Sequence, residues 1–495
     1  MMAVASDSLS IVRTHAYSRT LTMVALLASI AAALSSGAPP AIPGMLCSNA
    51  AVATGKAPWS DTVMPAGWAP VYATVLQRHW DRWLYEHSLI GDVCWPGQLN
   101  STTPPMPSQC GYNTSSVWER WPRQPDPYSR PLPGTCACPQ LTQQGVDHAA
   151  ALGRTLKAQY GRMLDGCRAG SVGLETARQQ KNEMSLQTAY STLCGKLPDA
   201  GRDFPYRQVV AVGLVGKGRP FFLEQGLCKG GGVLARMEAA ASAAKTASAY
   251  WHAAHELALQ VAAHAGQPPP ALADTDNMLD NIEDCLTVHA CHGLGDAPAP
   301  FVQSASLFTA MDTQETTSRS WPLNYFRNAG NQTAFAEFAA LYYGYYFRVL
   351  LDRMAAAIAV PEKATRFNLQ VLSDSNLTPL LTMLGARAAA ARRPVWGSTI
   401  AFELWAAPAD KIISSVGGSM PSLAVRVIFN GKTLQLGGAC AAEAQAGLGY
   451  CSWTRWRELL APLIPTTAQC PEFYRHWVPP SGVRGGGGGG WGGVS

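Results

Sequence analysis

The sequence predicts an α/β fold that is interrupted by a large helical insertion. The chain has 495 residues, which exceeds the size at which a single hydrophobic core keeps growing, so two packed units or one domain with an insertion are expected. Strand-like runs are found towards both ends of the chain, whereas the middle shows helical patterns only. This order places two parts of one sheet on either side of the insertion.

Four apolar runs have the length of β-strands and end in polar residues or a turn. They span residues 71–76, 366–372, 397–405 and 423–430, and Asn430-Gly431 forms the turn that closes the last. Apolar residues at helical spacing, or Ala-rich sequence that stops at Gly or Pro, predict helices over 145–164, 183–193, 231–266, 324–359 and 377–385. The tyrosine stripe within 324–359 is interpreted as core.

The N-terminal residues have the pattern of a secretory signal peptide. Arg13, His15 and Arg19 precede an apolar stretch over 21–34, and small residues follow at 35–38. A membrane span needs about 20 residues, so this stretch is short for one, although an uncleaved signal anchor stays open. We therefore expect a secreted protein or one of the endomembrane or lysosomal lumen, membrane-anchored only if the signal is retained.

These patterns divide the chain into six segments. They are a signal peptide at 1–38, a linker at 39–66, the first part of the α/β core at 67–195, a mainly helical cap insertion at 196–359, the second part of the core at 360–480, and a Gly-rich disordered tail at 481–495.

The composition supports an oxidising compartment and argues against a nucleic-acid partner. Most of the 13 cysteines should pair in such a compartment, with one left over or bonded to another chain. N-glycosylation sequons begin at Asn100, Asn113, Asn331 and Asn376. The net charge is only +5, and the basic residues are scattered rather than clustered in a stripe with aromatics.

The polar residues that follow two of the predicted strands are the candidates for chemistry. Arg78, His79 and Arg82 follow the first strand, and Ser373-Asp374 follows the second and opens a helix. Ligands in open α/β sheets bind outside the carboxyl ends of strands, so we expect these two stretches to meet. A neutral imidazole can attack phosphorus while guanidiniums hold the phosphoryl oxygens. Asp374 is the available acid for the departing oxygen, which predicts an acidic optimum.

Several motifs resemble those of the histidine acid phosphatases, in the same order along the chain. VLQRHWDRW at 75–83 is similar to the family's RHGxRxP signature, and LTQQGVDHAAALGRTLKAQY at 141–160 is similar to its next helix. ARQQKNEMSLQTA at 177–189 resembles the region of its third arginine, and VLSDSNLTPLLTMLGA at 371–386 resembles its HD signature. The closing strands and the region from Cys440 to Cys451 are also similar.

The resemblance implies a three-layer α/β sandwich with a mainly parallel central sheet and a large helical cap domain. It implies that His79 is the nucleophile and Asp374 the proton donor in the hydrolysis of phosphate monoesters through a phosphohistidine. The residues that it assigns to phosphate binding are Arg78, Arg82, Arg178 and Ser373. It implies no cofactor and no metal.

The chain departs from the family pattern at three positions, and two of these departures, Trp80 and Ser373, bear on activity. Trp80 stands where the family has Gly beside the nucleophile, so an indole could narrow or reshape the pocket, and Leu84 replaces the Pro of the signature. Ser373 stands where the family has the His of its HD pair, and a hydroxyl is shorter and uncharged. Losing one anion-stabilising donor typically lowers a rate roughly a hundred- to thousandfold. A second hypothesis is therefore a weakly active or inactive phosphate-binding secreted glycoprotein.

Two histidine-containing groups could suggest a metal and are interpreted as structural. His252 and His255 with Glu256 have the order HxxHE, which is not the HExxH of a zinc protease. The residues Cys285, His289, Cys291 and His292 are crowded like metal ligands, but an oxidising compartment favours a disulfide. The expected partner is a phosphate monoester, with no stable membrane span after signal cleavage. A homodimer stays open.

Overall fold

The computed structural model describes residues 47–82, 141, 143–167, 171–176, 180–195, 227–228, 230–264, 268–292, 305–408 and 423–477. The signal peptide, the Gly-rich tail, Arg178 and the sequons at Asn100 and Asn113 lie outside these residues. Within them, no helix is both long and apolar enough to cross a membrane.

A mixed β-sheet forms the centre of the molecule. Its described strands are β1 (Ala69–Arg78), β2 (Val172–Thr176), β3 (Phe367–Leu372), β4 (Thr399–Ala406), β5 (Leu423–Phe429), β6 (Lys432–Thr433) and β7 (Cys451–Ser452). They lie in the order β2-β3-β1-β4-β5-β6, and β7 pairs with β5. Strands β1, β2 and β3 are parallel, and β5 shares their direction because two antiparallel pairings separate it from β1.

Helices occupy most of the described chain between the strands. The described α-helices are α1 (Ala50–Ala53), α2 (Gln143–Tyr160), α3 (Gln180–Cys194), α4 (Val233–Thr246), α5 (Ala249–His264), α6 (Thr275–His292), α7 (Ala305–Asn328), α8 (Gln332–Ala339), α9 (Tyr345–Ala359), α10 (Asp374–Met383), α11 (Arg387–Ala390), α12 (Ala441–Gln445), α13 (Trp453–Leu460) and α14 (Pro471–His476). A π-helical segment, Ala340–Gly344, joins α8 to α9.

The sheet lies between two helical layers because the side chains of its strands alternate between two cores. On one face, Ala73 and Val75 of β1 pack with α2 and α3. On the other face, Tyr72 and Leu76 pack with α9 and α10. The predicted three-layer α/β sandwich is confirmed.

The chain divides into two compact units. The smaller unit contains the described helices of residues 244–318, and the larger contains the sheet and its flanking helices. The described residues of the smaller unit fall within the predicted cap, and the cap bounds of 196–359 stay a prediction.

Two helical stretches predicted as continuous are broken by local hydrogen bonds. In the stretch 231–266, the Trp251 N–H donates to the Ser248 hydroxyl at 3.1 Å, which starts α5 as a separate helix. In the stretch 324–359, Gly330 has φ +71°, and the Asn331 side chain accepts from the Ala334 N–H at 2.9 Å to start α8. The sequence prediction also missed β2, which has only five residues and includes Gly173.

A few buried residues anchor the segment 47–66, which the sequence predicts as part of a linker, to the rest of the larger unit. Trp59 is buried, and its indole N–H donates to the Tyr160 hydroxyl at 2.8 Å and to Glu403 at 3.2 Å. Glu403 also pairs with Arg426 at 2.7 Å. A buried carboxylate needs hydrogen-bond or ionic partners, and Trp59 of this segment supplies one of them for Glu403. Because the Ala, Pro and Gly content of the segment is high, the composition did not reveal these anchors.

Disulfide bonds link both neighbouring and distant segments of the chain. Among the described residues, bonds join Cys167 to Cys194, Cys228 to Cys470 and Cys440 to Cys451. Cys47 and Cys291 are also disulfide-bonded. The predicted use of cysteine in disulfides is therefore confirmed for these residues.

Removal of the bond from Cys228 to Cys470 should destabilise the protein more than removal of the bond from Cys440 to Cys451. The first joins residues 242 positions apart and the second residues 11 positions apart. The loop-entropy relation gives about 5 and about 3 kcal/mol respectively. Denaturant unfolding of the two double serine variants would measure both losses, and equal losses would contradict the prediction.

Candidate active site

The two stretches predicted to meet lie side by side at the carboxyl ends of β1 and β3. Arg78 is opposite Leu372 in the parallel register, and the His79 N–H donates to the Leu372 carbonyl at 3.0 Å. Arg78 Nη2 also lies 3.2 Å from Oδ2 of Asp374, which follows Leu372 by two residues. The site therefore sits where the sheet topology predicts that polar residues collect.

His79 is buried with one ring nitrogen already engaged. Its Nδ1 lies 2.9 Å from the carbonyl oxygen of Trp80, so Nδ1 carries the proton that is donated there. Burial lowers the pKa of His79 well below its ordinary value, and the charges of Lys181, Arg78 and Arg82 lower it further. The imidazole is thus neutral, and its Nε2 lone pair is available as a nucleophile.

Lys181 is a site residue that the sequence prediction missed. It lies in the first turn of α3 and is almost completely buried. Among the charges that lower the pKa of His79, that of Lys181 has the largest effect. The resemblance had assigned the third cation of the site to Arg178, three residues earlier and outside the described residues. Lys181 lies one turn before Ser185, whose Oγ accepts from the Trp80 N–H at 3.1 Å and so links α3 to the residue after His79.

Asp374 is the first residue of α10 and is surrounded by guanidinium groups. Arg78 and Arg393 both contact its Oδ2, and Arg319 Nη1 lies 3.9 Å from its Oδ1. Oδ1 also accepts the Ser375 N–H at 3.0 Å. Arg393 and Arg319 were not predicted, because neither lies next to a strand end or within a motif.

Ser373 acts as the N-cap of α10. Its Oγ lies 2.5 Å from the Ser375 hydroxyl and 3.2 Å from the Asn376 Oδ1. Asn376 in turn donates from Nδ2 to the Tyr343 hydroxyl at 3.4 Å. The Ser373 hydroxyl is therefore held by its own helix terminus.

Trp80 is accommodated by the core beneath the site. Its side chain is completely buried, and its ring centroid lies 5.3 Å from that of His148 on α2. The opposing position is Gly397, where an added Cβ would lie 2.1 Å from the indole. The ring thus occupies space that a glycine leaves open, and it belongs to the core shared with α2 and α3.

The segment between His79 and Arg82 is anchored by a buried acid. Asp81 is completely buried, and its Oδ2 lies 3.2 Å from His148 Nδ1. Arg82 is buried as well, and its backbone forms an isolated antiparallel β-bridge with Leu141. These contacts fix the backbone that presents the cations to His79.

The fold and the site together define an α/β sandwich protein with a cationic site around a buried neutral histidine. No protein-family model matches the chain, and no curated relative matches its sequence. Solved structures similar to it include the Bifidobacterium longum multiple inositol polyphosphate phosphatase in complex with inositol hexasulfate, at 11% identity over 79% of this chain and 93% of that chain with a TM-score of 0.46. Others are the phytase from D. castellii, at 13% identity over 86% and 90% with a TM-score of 0.46, and the Hafnia alvei phytase in complex with myo-inositol hexakis sulphate, at 12% identity over 82% and 99% with a TM-score of 0.46.

Gly397→Ala should destabilise the protein through the contact with Trp80. Gly397 has φ +69°, and the added methyl would overlap the indole. Backbone strain and overpacking together predict a loss of roughly 2–4 kcal/mol of unfolding free energy.

Gly385→Ala is the matched control, since Gly385 has φ +74° but nothing within 4 Å of an added Cβ. Denaturant unfolding of both variants separates the strain that they share from the overlap with the ring. Equal losses would show that Trp80 does not pack on Gly397.

Proposed function

We propose that the protein is an acid phosphatase that hydrolyses phosphate monoesters through a phosphohistidine on His79, with Asp374 as the proton donor. The observation that carries the proposal is the buried neutral imidazole beside the ion pair of Arg78 and Asp374 at 3.2 Å. The positive charges of Lys181, Arg78 and Arg82 disfavour protonation of His79, so they do not stabilise the histidine itself. They would instead stabilise an anion bound next to His79, such as a phosphate.

In the proposed reaction, Nε2 of His79 attacks phosphorus as the bond from phosphorus to the ester oxygen breaks. Arg78, Arg82 and Lys181 hold the phosphoryl oxygens and stabilise their charge in the transition state. Arg178, to which the family resemblance gives a phosphate-binding role, and the Ser373 hydroxyl are further phosphate-binding groups in this proposal. Asp374 gives its proton to the departing oxygen, so the alcohol leaves neutral. Water then attacks the phosphohistidine, Asp374 takes a proton from it, and inorganic phosphate and free His79 are regenerated.

The resting site explains how Asp374 could receive its proton. Its carboxylate accepts a charged hydrogen bond from Arg393 and forms an ion pair with Arg78 at 3.2 Å. An incoming phosphate competes for the same guanidinium donors, and its negative charge beside Asp374 favours protonation of the carboxylate. Binding and acid formation are coupled in this scheme.

A second candidate is a phosphate-binding glycoprotein with little or no activity. It is favoured by one observation, the engagement of Ser373 in the α10 cap, which leaves this position without the cation that the family pattern has there. His79 and Asp374 argue for the enzyme, because a protein that only binds phosphate needs neither a nucleophile nor an acid.

We also propose that the protein works in an oxidising lumen or outside the cell. The described disulfides support this compartment. Asn331 is exposed and suited to carry an N-glycan, whereas the sequon at Asn376 contains the completely buried Thr378.

The purified full chain should release phosphate from an aryl phosphate, and His79→Ala should lower the rate at least about a thousandfold. Since the pKa of His79 is lowered from 6.5, the nucleophile stays neutral as the pH falls through that value. The rate should therefore hold or rise from neutral to acid pH, where Asp374 is more readily protonated.

His255→Ala is a control for loss of a structural histidine, because His255 bonds to the Thr275 hydroxyl at 2.9 Å. It should retain the rate of the unmodified chain. Background rates for both the unmodified chain and His79→Ala would refute the enzyme and leave the binding protein.

Ser373→His should raise turnover about tenfold or more, because it adds a charged donor beside the phosphoryl group. It should also lower the unfolding free energy by about 1 kcal/mol through loss of the α10 cap. Ser373→Ala is the matched control, with the same loss of stability and no gain in rate. If Ser373→His leaves the rate unchanged or lowers it, the pocket is shaped around serine.

A further inference from the structure

The three arginines around Asp374 are not equivalent. Arg78 and Arg393 share Oδ2, and their side chains are only 5% and 7% exposed. Arg319 approaches the other oxygen, Oδ1, at 3.9 Å, and its side chain is 21% exposed. Arg319 is therefore the guanidinium of this group that a molecule entering from solvent reaches first.

The fold delivers Arg319 to the start of α10 along a defined path. Arg327, about two turns further along α7, donates to the Thr382 carbonyl near the other end of α10. Helix α7 therefore runs beside α10 in the same direction at these contacts. This docking places Arg319 at Oδ1 of Asp374, whereas Arg78 and Arg393 lie at Oδ2.

The surroundings of Arg319 are polar. Burial raises the pKa of Tyr343 to about 12, and the nearby charge of Arg319 acts against that rise. The Tyr343 hydroxyl in turn accepts from the Asn376 amide. The guanidinium of Arg319, the phenol of Tyr343 and the amide of Asn376 thus lie close together near Asp374. Such groups favour an anionic or hydroxylated partner over an apolar one.

We propose that Arg319 is a specificity-determining residue that favours phosphate monoesters whose leaving group carries a second negative charge. The inference rests on the proposed function, in which His79 lies on one side of the phosphoryl group and Asp374 faces the leaving group on the other. The guanidinium at Oδ1 of Asp374 then lies beside the leaving group. A carboxylate or second phosphate there can replace Oδ1 as the ionic partner of Arg319.

The test compares two esters that differ by one charge. Phenyl phosphate and 4-(carboxymethyl)phenyl phosphate have leaving groups of similar basicity, because a methylene separates the carboxylate from the ring. The unmodified chain should show the higher kcat/KM for the carboxymethyl ester. Arg319→Gln should lower the ratio of the two kcat/KM values about tenfold, as expected for loss of one charged hydrogen bond. Arg319→Lys should restore most of it.

Arg348→Gln is the matched control, since Arg348 is 18% exposed and pairs with Asp352 at 2.9 Å on a single helix. It should leave the ratio unchanged. An unchanged ratio in Arg319→Gln, or an equal fall in Arg348→Gln, would overturn the assignment. Thermal unfolding of each variant checks that it is folded, and Arg319→Lys retains the charge if the glutamine variant is not.

Binding separates this inference from the proposed function. In the His79→Ala variant neither ester should turn over, so their affinities can be measured by calorimetry. The carboxymethyl ester should bind more tightly, and adding Arg319→Gln should remove that preference. This result would support the role of Arg319 even if the unmodified chain proved inactive, and equal binding of the two esters would refute it.

Discussion

The parallel pairing of β1 with β3 is the constraint on which the candidate site depends. It sets Arg78 opposite Leu372, so the residues that follow the two strands emerge together. The ion pair of Arg78 and Asp374 then links the strand ends directly. A shift of one residue in this register would turn the side chains of the strand to the opposite face and separate His79 from Asp374. Every other contact of the site is arranged around this junction.

Much of the fold and the centre of the site could be predicted because their signals are local. Apolar runs with polar ends located β1, β3, β4 and β5, and the residues after β1 and β3 located His79 and Asp374. Arg319 and Arg393 could not be found in this way, since each reaches Asp374 from a segment with no distinguishing pattern. Their role arises from tertiary packing alone. Lys181 is an intermediate case: its motif was recognised, but the motif pointed only to Arg178, which lies outside the described residues, and not to the buried Lys181.

The two departures from the family pattern have different structural outcomes. Trp80 is absorbed by the core, because Gly397 leaves room for the indole. This compensation lies far away in sequence and could not be inferred from the motif. Ser373 instead joins the cap of α10, and its missing charge is not replaced at the same position. Arg319 and Arg393 add positive charge nearby, but both pair with the carboxylate of Asp374 and neither occupies the position of Ser373.

The central place of β1 has a consequence for how the protein is made. Its neighbours in the sheet are β3 and β4, which the ribosome synthesises only after the entire helical region has been translated. The apolar strand β1 therefore lacks its sheet partners during much of translation. Unpaired apolar strands are prone to aggregation. Such long-range pairing also slows folding, because a large loop has to close before the contacts form. Completion of the sheet around β1 is accordingly a late step in the formation of this fold.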